Sequence, residues 1–292
     1  MRCRRALLLA VALPLPLLLH AAPAPHPRGL QPLEDAALSS VRGGDGVSFD
    51  LSGFSINGDV RITYSPQADR SLWLGNLSAA RSDSTVAFAD PYRLDIAKGP
   101  AGLADIVSFA FPANVDGAQR WQFAWDWGVD ADAVDAANGA VVMKDVVHYG
   151  GGLQFSTPRL EDGVAFGTAL NMRIGQLALR PNGRGETVGQ MALQGIRLGA
   201  VDAEGNFTGK PWAIADVAAQ PAVVNALADA DGAHLHVGIG WPDRQYGSGS
   251  APAGGLQIDR ISFTNPGGTT TDLGSSRIGA IQIQYLDVKF RP

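Results

Sequence analysis

Trp121-Gln122-Phe123-Ala124-Trp125-Asp126-Trp127 carries the strongest structural signal in the chain. Large aromatic side chains fall on every second residue, with small or polar residues between them. Successive side chains of a strand point to opposite sides of the sheet, so this period of two marks a β-strand with one apolar face. The same alternation recurs in Val47, Phe49 and Leu51, in Val60, Ile62 and Tyr64, and in Leu170, Met172 and Ile174. Leu193, Ile196 and Leu198 keep it with one slip. Near the end, Ile281, Ile283 and Tyr285 give way to Leu286, Val288 and Phe290 on the opposite parity, which reads as a bulge within one strand.

Turn sequences punctuate these runs at Asn57-Gly58, Pro181-Asn182-Gly183, Glu204-Gly205-Asn206 and Asn265-Pro266-Gly267-Gly268. Two segments share a loose strand, Gly-rich loop, strand pattern. Ile174–Leu179 leads to Met191–Leu198, and Leu256–Phe263 leads to Ile278–Ile283. The fold expected is all-β, mainly an antiparallel sandwich or an elongated wrapped sheet of many short strands. One segment departs from it. Residues 221–229 read as a short helix, with Pro221 at a first-turn position and apolar Val223, Val224 and Leu227.

The composition agrees with short strands and tight turns: 36 glycines stand against only four lysines, Lys98, Lys144, Lys210 and Lys289. With 46% hydrophobic and 17% charged residues in 292, the chain has material for a sizeable core. Its formal charge is −5, and becomes −8 once the three arginines Arg2, Arg4 and Arg5 are removed. An acidic chain without clustered Lys and Arg is a poor binder of nucleic acid, so no nucleic-acid partner is expected.

Those three arginines open a segment with the layout of a secretory signal. Ala6 to Leu19 is an apolar run broken by Pro14 and Pro16, and His20-Ala21-Ala22-Pro23-Ala24 offers small residues for cleavage. The run is about 14 residues, short of the roughly 20 that span a bilayer as a helix. The organisation expected is a signal peptide over 1–24, a leader or linker over 25–46, and one large β domain over 47–292, with no transmembrane helix after the signal. The single cysteine, Cys3, lies in the signal, so the exported chain would have neither disulfide nor thiol nucleophile.

No side-chain pattern points to catalysis. Gly-x-Ser-x-Gly, His-Glu-x-x-His and a phosphate-binding loop ending in Lys-Ser/Thr are all missing. His234 and His236 would share a strand face, but two ligands do not make a metal site and His148 is remote in sequence. Asp130, Asp132 and Asp135, and likewise Asp229 and Asp231, lack the ligand spacing of an EF-hand loop and read as solvated acidic turns. No enzyme activity, catalytic residue, metal or cofactor is therefore expected. The remaining candidate is an interaction face formed by Trp121, Phe123, Trp125 and Trp127, suited to stacking on sugar rings or on a partner. Its more ordinary reading is a core strand, since large aromatics are mostly buried.

Three segments carry a family resemblance. They are Leu30–Val47 (LQPLEDAALSSVRGGDGV), Gln220–Leu227 with His234–Trp241, and Asp272–Phe290 (DLGSSRIGAIQIQYLDVKF). They resemble a family of exported proteins of unknown function from Pseudomonas, Acinetobacter and their relatives, some of which are labelled pilus-assembly proteins. The resemblance covers nearly all of the chain after the signal. It implies export to the periplasm, the outer-membrane surface or the extracellular space, and a structural or accessory part in a pilus- or fimbria-like system with other envelope or fimbrial proteins as partners. It brings no catalytic residues. The residues also leave open a soluble binding module, glycan-binding through Trp121–Trp127, and more remotely an outer-membrane barrel.

Overall fold

The structure is a computed structural model that describes residues 46–292, except 52, 68–69, 83–89, 132–133, 159–161, 220, 231, 242–250 and 291–292. The signal and most of the leader expected from the sequence lie outside the described residues. In chain order the strands are β1 (Val47–Phe49), β2 (Ser55–Asn57), β3 (Ile62–Gln67), β4 (Arg70–Arg81), β5 (Tyr92–Ala97), β6 (Ile106–Ala110), β7 (Trp121–Ala131) and β8 (Val134–Ser156). They continue with β9 (Val164–Arg180), β10 (Met191–Ala200), β11 (Trp212–Ala215), β12 (Ala222–Asp229), β13 (Gly232–Gly240), β14 (Gly254–Thr264), β15 (Thr270–Ile281) and β16 (Tyr285–Phe290). All belong to one sheet, and every pairing of strands within it is antiparallel. The protein is all-β.

Two long strands form the spine. β8 pairs with β9 from Ala140↔Arg180 to Ser156↔Ala165. Each outlasts its other neighbours, so each serves two branches. The first half of β8 pairs with β7, which carries β4 and through it β2 and β3; its second half pairs with β6, which carries β5 and β1. The C-terminal half of β9 pairs with β10, then β14 and β15, while its N-terminal half meets β11 and β12, then β13 and β16. The two repeated patterns in the sequence are the hairpins β9–β10 and β14–β15, joined side by side through β10–β14. The Asn265–Gly268 turn closes the second hairpin, with the Gly268 N–H donating to Asn265 O at 2.9 Å.

The slip in β10 belongs to a crease that crosses several strands. Around Asp145 (φ 52°), Gly175 and Gly195 (φ 63°) the side-chain parity changes on β8, β9 and β10 together. Met143 and Val146, Leu177 and Ile174, and Leu193 and Ile196 consequently all reach one apolar cluster although each pair is three residues apart. β8 is bent a second time at Gly150-Gly151-Gly152 (φ 74°, 88° and 151°), where a Cβ on Gly151 would lie 2.2 Å from Ala169 O. The branch carrying β6, β5 and β1 packs its aromatic residues onto β7. Phe49, Tyr92 and Phe109 stack at 5.7–6.0 Å, and Tyr92 meets Trp121 edge to face at 6.4 Å. With Val146, Ile174 and Ile196 they form the main core. A second core lies on the β11–β13 branch, where Trp241 packs with Ala215, Ala222 and Ile239 and donates its indole N–H to Ile214 O at 3.1 Å.

Two local expectations are corrected. The segment expected as a helix over 221–229 instead forms strand β12, Ala222–Asp229. Nine residues are too few for a helix without tertiary support, and Val223 and Val224 are β-branched. Both edges of the segment find partners, β9 through Ala222–Val224 and β13 through Val223–Asp229. The parity switch near the C-terminus is likewise no bulge. The chain leaves β15 at Ile281 and re-enters the sheet as β16 at Tyr285, pairing first with β14 and then with β13.

Candidate functional site

The face that carries Trp121, Phe123, Trp125 and Trp127 is buried at one end and open at the other. Trp121 is only 6% exposed, its indole N–H donating to the Tyr92 hydroxyl at 2.8 Å, and Phe123 stacks on it at 6.1 Å. These two belong to the core. Trp125 and Trp127 are half-buried, beyond the reach of the aromatic branch. Trp127 lies over Gly139 of β8, where a Cβ would come within 2.6 Å of the ring, so the small residue there makes room for the indole.

From Trp127 the apolar surface runs outward through cross-strand rows. Ile62, Leu74 and Trp127 form one, and Tyr64, Leu72 and Val129 the next. A third crosses the sheet the other way, from Trp125 through Val141, Leu179 and Met191 to Phe263. Ile62 is 68% exposed, Leu74 43% and Phe263 40%, and Tyr64, Leu72, Val129 and Leu179 are exposed as well. No residue in these rows is charged. At about 150–250 Å² per large side chain, of which roughly 40–50% is open, the patch presents on the order of 700 Å² of apolar surface.

The reverse face is polar and internally bonded, which tells the two sides apart. Arg61 pairs with Asp130 at 3.1 Å and lies over the Trp73 ring at 4.3 Å, and the Ser71 hydroxyl donates to the same carboxylate at 2.9 Å. Arg184, from the β9–β10 loop, reaches Asp126 at 2.6 Å and Ser78 Oγ at 3.0 Å, while Asn76 donates to Asp126 at 2.8 Å. Water and ion pairs suit this side.

The histidines hold strands together. His236 sets Nδ1 2.7 Å from Asn225 Oδ1 on β12 and Nε2 2.9 Å from Asp287 Oδ1 on β16. His234 is buried, with Nδ1 3.2 Å from Gly232 O and Nε2 3.7 Å from Asp229, which also faces Lys289 at 3.8 Å. Each ring has separate partners. His148 is elsewhere, against Phe111 with ring centroids 4.7 Å apart, and burial pushes its pKa from 6.5 down to about 4. Among the described residues no group of three or more His, Cys, Asp or Glu is placed to hold a metal ion, and no helix is long and apolar enough to cross a membrane. Asp130 is engaged by Arg61 and Ser71; Asp132 and Asp231 lie outside the described residues.

The sequence pointed to the four aromatics but not to Leu72 and Leu74, which complete the patch. Their signal was present in the alternation of Leu72, Trp73 and Leu74. What could not be read was that β3, β4 and β7 lie side by side. No family model, no curated protein and no solved structure matches the chain.

Proposed function

We propose that this protein is exported and acts, without catalysis, as a structural or accessory component of a pilus- or fimbria-like assembly in the cell envelope or on the surface. The building contact is between two copies joined through the apolar face of β3, β4 and β7. The observation that carries this reading is that face itself, with its rows Ile62–Leu74–Trp127 and Tyr64–Leu72–Val129 apolar and open and its reverse side polar. Together with the row that continues to Phe263, its area is on the order of 700 Å², close to the roughly 800 Å² that each partner contributes to a stable interface. The apolar rows put no like charges against one another when identical copies meet there, in a chain whose formal net charge is −5. Sugar binding is less well supported. Trp121 is buried, and among the residues named in the open rows only Tyr64 carries a hydroxyl to meet those of a glycan.

The test is fractionation of cells expressing the native protein or an Ile62→Glu/Leu74→Glu variant, with the mature N-terminus read by mass spectrometry. A start between Ala22 and Leu30 in the sheared-surface fraction is expected, with the variant exported but missing from that fraction. Native protein confined to soluble periplasm, or a variant that shears off as the native protein does, would remove the assembly reading.

A further inference from the structure

Away from the apolar face, two arginines stand directly opposite each other on neighbouring strands, Arg173 on β9 and Arg197 on β10. Like charges in this position repel, and sheets ordinarily avoid or neutralise them. Here nothing neutralises them: among the described residues neither guanidinium has a carboxylate within 4.0 Å. Arg197 is held over the Phe207 ring at 5.0 Å, which fixes its position without consuming its charge. Arg277, further along the same row, is engaged by Gly205 O at 2.6 Å. Arg120, next to the pair, faces Asp145 at 3.9 Å. Among the described arginines that line the two clefts beside this row, Arg173 and Arg197 are the ones without a carboxylate partner.

Those residues line a cleft of about 400 Å³ whose other walls are Val115, Tyr149, Asn171 and Phe207. Asn171 ties its rim together, donating to Tyr149 O at 3.3 Å and to Gly209 O at 2.8 Å. A second cleft of about 330 Å³ continues past Tyr149 and Arg173 toward Arg120, with Asp116 and Asp145 at its far side. The volume suits a small molecule, and the lining offers a cationic pair, aromatic walls and polar rims.

We propose that this cleft binds a small organic anion, its carboxylate or phosphate seated between Arg173 and Arg197 and its sugar-sized body resting on Phe207 and Tyr149. The anion supplies the charge that the sheet does not, and Asp116 and Asp145 keep a second anionic group out of the adjoining cleft. This inference is independent of the assembly reading, because the two sites share no residue.

Sodium glucuronate and sodium phosphate test it when titrated separately into the full exported protein. Ionic strength is held constant with chloride, and binding is read by calorimetry and thermal melting. Saturable glucuronate binding in the millimolar range or tighter is expected. It should weaken tenfold or more in Arg173→Gln and in Arg197→Gln and stay unchanged in Arg260→Gln, whose arginine pairs with Asp272 at 3.0 Å elsewhere on the sheet. Phosphate binding with the same arginine dependence, without glucuronate binding, also supports the anion site and assigns it to phosphate esters. Failure of both anions to saturate, or undiminished binding in the arginine variants, would overturn it. Arg173→Gln should melt no lower than the native protein without ligand; a melting point several degrees lower would make the arginine a structural residue and overturn the proposal as well.

Discussion

Stability should fall in mildly acidic buffer because of His148. Burial against Phe111 holds its pKa at about 4, against 6.5 for an ordinary histidine. Above pH 6.5 the ring is neutral in both folded and unfolded chains and contributes no pH dependence. Below 6.5 the unfolded chain takes up a proton that the folded one refuses until about pH 4, so stability falls with pH across that window. The full separation corresponds to about 3 kcal/mol at 1.36 kcal/mol per pKa unit, and about 2 kcal/mol is already lost between pH 7.5 and pH 5. Urea unfolding of the native protein and a His148→Leu variant at pH 7.5, 6 and 5 isolates the ring, because every carboxylate titrates in both. The native protein should lose about 2 kcal/mol more than the variant between the first and last pH. Parallel loss in the two proteins would refute the argument and show that water or a proton reaches the ring in the folded state.

Three further outcomes follow from the packing. Trp121→Phe removes the buried bond to Tyr92 and part of a core ring, and should lower unfolding free energy by about 2–3 kcal/mol in urea titrations. Gly151→Ala places a Cβ against Ala169 O at a φ of 88°, so it should lower the melting temperature by ten degrees or more and loosen the β5–β6 branch, seen as faster amide exchange over Tyr92–Ala110. Arg184→Ala releases the β9–β10 loop from Asp126 and Ser78, costing about 1–2 kcal/mol by urea unfolding, with most of the loss persisting in moderate salt because the pair is partly buried.

The fold class was legible because one periodicity dominates. Trp121–Trp127, Val47–Leu51 and Leu170–Ile174 all alternate strictly, and an alternating strand needs no knowledge of its neighbours to be recognised. The local signals of 221–229, a leading proline and spaced aliphatics, suit a first helical turn although the segment is a strand. Its outcome was decided by β9 and β13, which lie about 60 residues before it and immediately after it. The crease at Asp145, Gly175 and Gly195 left only a slip in one strand's pattern, since its cause is the alignment of three strands. The site was half legible for a similar reason. The aromatic stripe could be seen, but whether each ring was covered depended on where the β8 glycines send the Tyr92 branch. The opposed pair Arg173 and Arg197 was invisible, being defined by register alone.

The central claim is that the open face of β3, β4 and β7 joins two copies of this chain. Sedimentation velocity of the exported protein from about 1 to 100 µM, without detergent, tests it most directly. A concentration-dependent dimer is expected, with Ile62→Glu/Leu74→Glu remaining monomeric while keeping the native circular dichroism spectrum, since an interface of this size is dominated by a few buried apolar anchors. A native protein that stays monomeric throughout, or a folded variant that dimerises as the native protein does, would contradict it.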